Sequence, residues 1–194
     1  MKQPIKIVVG GSGAVGKTTI CHLLAKKLDK FNPPKMTPGI DLHEFKKSKN
    51  EKRIAALWDL GGQERFRFIQ DSYIKGAKIV IFVYSCEWIH SLKDIKSWIS
   101  MIPKNDPPAH IFLIANKIDS VKKCITKEDV LDICNQHKME YFEMSARSGE
   151  GVSEFEEALI RKIESLEQDS HFFIKKQENL KILNCNLNNT SLSL

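Results

Sequence analysis

The sequence lacks any cysteine pairing. Cys21, Cys86, Cys124, Cys134 and Cys185 are scattered, odd in number and nowhere arranged as C-x-x-C. That argues against a zinc site or a disulfide framework and suits a reducing compartment. No stretch approaches the roughly 18 apolar residues of a membrane span. The opening Met-Lys-Gln-Pro leads straight into a strand-like run, so no signal peptide is expected. The terminal Leu192-Ser193-Leu194 is no C-a-a-X box and residue 2 is lysine, so no lipid attachment is expected. A cytoplasmic protein, peripheral to membranes at most, is the expectation. Aromatic residues are few, 8%, and none threads a basic stripe. The net charge of +6 is local: residues 42–53 carry five basic and two acidic side chains, and Lys175, Lys176 and Lys181 face only Glu178 near the end. A solvated lysine-rich hairpin and tail explain this better than a nucleic-acid partner.

What is present is ordinary globular material: 194 residues, 42% apolar and 28% charged. This is one domain with a short appendage. Ile5–Val9 reads as a buried strand ended by Gly10-Gly11, and residues 18–28 carry Ile20, Leu23, Leu24 and Leu28 at helical spacing. Residues 31–39, with Pro33, Pro34, Pro38 and Gly39, form a loop. Leu42–Phe45 and Arg53–Leu60 read as strands joined by the polar run 46–52. Residues 61–77 are glycine-punctuated and then helical. Ile79–Tyr84 and Ile111–Ala115 are continuous apolar runs suited to central strands, with a helix predicted over 91–102 between them. A helix over 127–137 has Thr126 as its candidate cap and Asp129 three residues on; Tyr141–Met144 is a short last strand. Ser153, with Glu156, is expected to cap a final helix that points Phe155, Leu159, Ile163 and Leu166 inward.

Strands thus alternate with helices. The expected fold is α/β: a six-stranded, mostly parallel sheet with one antiparallel edge strand and helices on both faces. The domain is expected over residues 1–170. Residues 171–194 shift toward Asn, Ser and Lys and form a tail. There Phe173, Leu180 and Leu187 recur every seven residues, the pattern of either a docking amphipathic helix or a frayed end.

Gly11-Ser12-Gly13-Ala14-Val15-Gly16-Lys17-Thr18 fits G-x-x-x-x-G-K-[ST], after a strand and opening a helix, the context of a P-loop. The chain is therefore expected to be a P-loop three-layer sandwich. Glycines let backbone N–H groups wrap phosphates, and the helix N-terminus adds partial positive charge. Lys17 reaches the β- and γ-phosphates, and the Thr18 hydroxyl suits Mg²⁺. The expected nucleotide contacts here run through Ser12, Gly13, Ala14, Val15, Gly16, Lys17, Thr18 and Thr19.

The base is read elsewhere. Asn116-Lys117-Ile118-Asp119 follows a buried strand, at the carboxyl edge where ligands of such sheets bind. A carboxylate at Asp119 accepts both the N1–H and the 2-amino group of guanine. Adenine offers neither donor and leaves a charge unpaired. Trp58-Asp59-Leu60-Gly61-Gly62-Gln63-Glu64 supplies the third side: Asp59 for Mg²⁺, directly or through water, the Gly62 N–H for the γ-phosphate, and Gln63 to orient the attacking water.

With these motifs in order, the chain resembles a Ras-superfamily small GTPase, nearest the Rab and Rho branches. The likeness spans residues 5–166 and includes the Rab-like Gln63-Glu64-Arg65-Phe66-Arg67. The resemblance implies that Thr37 ligates Mg²⁺ and touches the γ-phosphate. It implies that Ser145-Ala146-Arg147 meets the base, the Ala146 N–H facing guanine O6 and Arg147 standing where lysine is usual. Phe31 would pack on the edge of guanine; the alternative is an anchor at the end of the first helix. Pro38 departs from the family pattern and should stiffen the first switch, because proline lacks an N–H and biases Thr37 toward extended backbone. Ser85-Cys86 also departs, where many relatives have an aspartate.

The resemblance thus implies a GTP-binding, GTP-hydrolysing switch in membrane trafficking or signalling. Residues 31–45 and 61–75 would meet effectors, and activating and exchange proteins would act on the cycle. Lys17, Thr37, Gly62 and Gln63 form the expected catalytic set, and Thr18, Thr37 and Asp59 the metal set. Two alternatives are a guanine-nucleotide-dependent scaffold module with negligible turnover and a P-loop ATPase or nucleotide kinase. Intact Gln63, Thr37 and Gly62 weigh against the first, and Asn116–Asp119 against the second.

Overall fold

The computed structural model describes residues 4–26, 36–46, 55–63, 66–103 and 109–169. The polar run 47–52 and the tail fall outside them. The six strands are β1 (Ile5–Gly10), β2 (Ile40–Phe45), β3 (Ala55–Leu60), β4 (Ile79–Ser85), β5 (His110–Asn116) and β6 (Glu140–Glu143). They form one sheet in the order β2-β3-β1-β4-β5-β6. β2 runs antiparallel to β3 at the edge, and every other pairing is parallel. The expected architecture is therefore found, including its single antiparallel edge strand.

The helices are α1 (Lys17–Leu24), α2 (Arg67–Ile74), α3 (Ile89–Lys93), α4 (Ile95–Ser100), α5 (Glu128–His137) and α6, over 152–169. The chain divides into two units, Met1–Glu156 and Glu157–Leu194. The sheet lies in the first. In the second, residues 157–169 are helical, with an i,i+4 Arg161–Glu157 pair at 3.8 Å.

β4 is buried along its whole length, as its apolar run requires. Its even-numbered side chains, Val80 and Phe82, pack with Leu113, Ile95, Trp98 and Val130 on one face of the sheet. Alternation sends Ile79, Ile81 and Val83 to the other face. There Phe112, Phe142 and Phe155 meet edge-on, with centroids 5.3–5.8 Å apart.

β1 has β3 on one side and β4 on the other, so the chain reverses its direction of travel across the sheet at the end of β1. That is the topological switch point where such sheets bind ligands. The register places Val9 beside Asp59, Gly10 beside Phe82 and Ser85 beside Asn116, so three of the loops under discussion leave one edge together.

Three local expectations are corrected. The helix expected over 91–102 begins at Ile89 and is interrupted at Asp94, whose N–H bonds His90 O at 2.9 Å while its own carbonyl takes an i+3 bond from Ser97. Thr126 does not cap α5 with its side chain; instead Asp129 reaches back to accept from both its N–H (2.8 Å) and its hydroxyl (3.0 Å). Ser153 lies inside the first turn of α6, which starts at residue 152, after Gly151 at φ 71°. Its intended partner, Glu156, is held by Lys26 at 2.7 Å.

Candidate functional site

Two clefts open at the carboxyl edge of the sheet. The first, about 250 Å³, is lined by Gly13, Ala14, Gly16, Lys17, Thr18, Thr19, Met36, Thr37, Leu60, Gly61, Gly62 and Gln63. The second, about 570 Å³, is lined by Asn116, Lys117, Asp119, Ser120, Val121, Ser145, Ala146, Arg147 and Glu87, again with Ala14, Gly16 and Thr19. Ala14, Gly16 and Thr19 are thus a wall common to both.

The loop is shaped by its own sequence. Gly16 sits at φ 99° at the start of α1, and a Cβ there would collide with the Asn116 amide. The helix that follows points its free N–H groups at the first cleft. Val15 is fully buried, and its carbonyl accepts from Asn116 Nδ2 at 2.7 Å. The buried Ser12 donates its hydroxyl to Asp94 Oδ2 at 2.7 Å and offers its carbonyl to Lys17 Nζ at 2.7 Å.

Lys17 is only 6% exposed. Desolvation pushes its ammonium down to about 8, against the attraction of Asp59. Burial likewise raises the Asp59 carboxyl, opposed by bonds from Thr18 and Thr37 and by the charge of Lys17. An anion in the first cleft would favour the charged lysine.

Thr18, Thr37 and Asp59 converge. Thr18 Oγ1 lies 2.8 Å from Thr37 Oγ1 and donates to Asp59 Oδ2 at 2.6 Å; Thr37 Oγ1 donates to the same oxygen at 3.0 Å. Asp59 Oδ1 is buried with no hydrogen-bond partner. An octahedral ion with bonds of about 2.0–2.1 Å separates adjacent ligands by about 2.9 Å. Three oxygens at that spacing and an unsatisfied buried carboxylate oxygen therefore fit Mg²⁺.

Gly62 lies so close to the loop 11–17 that a Cβ would stand 2.5 Å from both Gly11 O and Lys17 Nζ, so only glycine fits. Gln63 faces the same cleft, with Nε2 3.6 Å from Met36 Sδ. In the second cleft, Asn116 is 2% exposed and fully engaged: Nδ2 donates to Val15 O, and Oδ1 accepts from Ala146 N at 3.0 Å. Ser145 Oγ accepts the N–H groups of Arg147 (3.2 Å) and Ser148 (3.0 Å), which folds the 145–148 turn under the cleft.

Of the residues expected to act here, Ser12, Val15 and Asp59 are buried and line neither cleft, Phe31 lies outside the described residues, and the others line one cleft or both. Sequence reasoning missed three. Glu87 binds Lys117 Nζ (3.0 Å) and Ser120 Oγ (2.7 Å). Met36 lines the first cleft, and Gln70 holds Gly61 O at 2.7 Å. Glu87 belongs to no local motif, and Met36 and Gln70, although they fall within 31–45 and 61–75, carry no signal of their own in the sequence.

The comparisons agree with this geometry. The family model described as Ras family matches residues 6–165. Ras-related protein Rab-18 of Caenorhabditis briggsae is 34% identical over 164 residues, 82% of this chain and 80% of the relative. Ras-related protein SEC4 of Candida albicans is 32% identical over 171 residues, covering 86% and 79%. Ras-related protein Rab-34 of Sus scrofa is 32% identical over 157 residues, covering 77% and 60%. With the P-loop, the Asn116–Asp119 loop and the Asp59–Gln63 turn assembled on one sheet edge, the chain belongs to the Ras family, on its Rab-like side, and is a GTP-binding, GTP-hydrolysing switch.

Proposed function

We propose that the two clefts take one guanine nucleotide, with its phosphates in the first and its base in the second. The shared wall at Ala14, Gly16 and Thr19 carries this reading, because it gives a single ligand a continuous path between the clefts. The backbone N–H groups of residues 13–18 and the Lys17 ammonium bind the β- and γ-phosphates. Thr18, Thr37 and Asp59 hold Mg²⁺, which neutralises charge on the phosphate oxygens. The Gly62 N–H meets the γ-phosphate. The Gln63 side chain orients the water that attacks it in line. Asp119 accepts from the guanine N1–H and 2-amino groups, and the Ala146 N–H faces O6. Lys117 and Arg147 flank the base, and Phe31 closes its edge.

Because Thr37 and Gly62 both line the first cleft, the γ-phosphate orders residues 31–41 and 61–75 and its loss releases them. Effectors reading those segments in a membrane-trafficking cycle, with activating and exchange proteins, complete the switch. No helix among the described residues is long and apolar enough to cross a membrane. Operation in the cytoplasm, peripheral to membranes at most, is part of the same reading. The nucleotide-binding unit is assigned to residues 1–170 and the tail to 171–194.

Single-turnover hydrolysis of GTP with and without Mg²⁺ tests the reading, alongside competition by ATP. Metal-dependent GTP cleavage that ATP does not inhibit is expected. Tight GTP binding without any cleavage would support the scaffold alternative.

A further inference from the structure

A second cluster of ligating side chains lies beside the nucleotide cleft without being part of it. His22 on α1 and Asp41 and His43 on β2 each offer one donor atom, and the three atoms lie within 4.8 Å of one another. Residues 41 and 43 share a face of the strand, by the period of two. His43 is 4% exposed, whereas half of the Asp41 side chain faces solvent.

The arrangement is already oriented. Asp41 Oδ1 accepts the Leu42 N–H at 2.8 Å, and its other oxygen, Oδ2, stands 3.5 Å from His43 Nε2. The His22 and His43 rings meet edge-on at 5.1 Å and 72°, not stacked. Tetrahedral zinc, with bonds of about 2.0–2.2 Å to nitrogen and oxygen, spaces its ligands about 3.4 Å apart. The Asp41–His43 separation already has about that value, and the His22 donor lies within 4.8 Å of both. A cavity of about 250 Å³, lined by His22, Pro38 and Asp41 and sharing Thr18, Met36 and Thr37 with the first cleft, opens beside the trio. It provides an entry path and room for a water as fourth ligand.

We propose that His22, Asp41 and His43 form a binding site for a divalent transition ion of the zinc class, with a ligand set that shares no residue with Thr18, Thr37 and Asp59. Two imidazoles and a carboxylate are a borderline donor set that selects such an ion over Mg²⁺. A simple His43–Asp41 ion pair would account for two of the residues but gives His22 no part. Cys21, His43 and Asp59 also cluster, but that set is closed. All three of its members are buried, and the Asp59 Oδ2 atom is already shared by Thr18 and Thr37. Cysteine spacing carried no hint of the open trio, because none of its ligands is a thiol.

An ion held there ties α1 to the start of β2, four residues after Thr37. The test is Zn²⁺ titration of the full chain loaded with GDP in excess Mg²⁺, against a chromogenic chelator of micromolar affinity. One equivalent is expected in the wild type. His22→Ala and Asp41→Ala, each checked for retained GDP and unchanged circular dichroism, should each weaken uptake by roughly tenfold or more. Co²⁺ in place of Zn²⁺ should give tetrahedral visible bands with no thiolate charge-transfer band. No stoichiometric uptake, or uptake that survives both substitutions, overturns the proposal. A thiolate band that vanishes in Cys21→Ser also overturns it, because the ion would then sit in the closed set.

Discussion

The side-chain amide of Asn116 donates to the carbonyl of Val15, 2.7 Å away and 101 residues earlier in the chain. The same amide accepts from the Ala146 N–H at 3.0 Å. One buried side chain thereby ties its own loop, 116–119, to the loop 11–17 and to the 145–148 turn. Asn116→Ala leaves a carbonyl and an N–H without partners, at about 1–3 kcal/mol each. The expected result is GDP release faster by roughly tenfold or more, from the lower end of that range. Release of a fluorescent GDP measures it, and an unchanged rate would show that the loops hold their positions without Asn116.

Guanine selection is assigned to Asp119. Asp119→Asn should weaken GTP binding and admit xanthine nucleotides, because xanthine carries an oxo group at position 2 that an amide can hydrogen-bond. Loss of a charge-assisted bidentate contact should cost roughly 1.5–3 kcal/mol. Competition binding with GTP and XTP checks this. Equal GTP affinity in wild type and variant refutes the assignment.

Gln63→Leu should nearly abolish hydrolysis and leave nucleotide affinity about intact. Leucine keeps the volume but cannot orient water, and the contact it loses in the protein is a single long one to Met36 Sδ. Single-turnover cleavage decides it: turnover at the wild-type rate would remove Gln63 from the water-positioning role.

The site was legible where the chemistry needs neighbours in sequence. Residues 11–18 must be contiguous to wrap a phosphate, and Asn116 to Asp119 must follow a strand directly, so both announce themselves. β4 is equally plain, since burial on both faces demands an unbroken apolar run. Partners distant in sequence leave no such trace. Glu87 meets Lys117 and Ser120 across 30 and 33 residues, and no local pattern records that. Glu156 likewise meets Lys26, 130 residues away, while the cap expected at Ser153 is displaced because the helix already starts at residue 152.

Burial of Lys17 makes nucleotide binding pH-dependent. Its ammonium is pushed down to about 8 by desolvation, and bound phosphates raise it again. Below about pH 8 the lysine is charged both with and without nucleotide, so affinity is flat there. Above it the free protein loses the proton and binding must take it back, so affinity falls by up to about tenfold per pH unit until the bound-state value is reached. GDP affinity measured across this range should show the bend near pH 8. A curve that remains flat through about pH 9 contradicts the assignment of Lys17 to the phosphates.

Hydrolysis by the chain alone should be slow, for want of an arginine. A fast P-loop GTPase places a guanidinium on the transition-state charge, in cis or in trans. Residues 31–41 contain no arginine, and Lys35 is their single cation. Lysine is a flexible point charge and replaces a planar, bidentate guanidinium poorly. The intrinsic rate is therefore expected on the order of 10⁻⁴–10⁻³ s⁻¹, rising by roughly 10³-fold or more when a partner inserts an arginine. Gly13 marks the path of entry. A Cβ there meets nothing nearer than Gly62 O at 3.9 Å, so a side chain can begin there without a clash and would project from a residue that lines the cleft. Gly13→Val should thus leave nucleotide binding and thermal stability close to wild type and abolish stimulation by the partner. Single-turnover rates with and without an activating protein check both halves: an unassisted rate near 1 s⁻¹, on the scale of the assisted reaction, would reveal a cation acting in cis, and full stimulation of Gly13→Val would place the incoming arginine elsewhere.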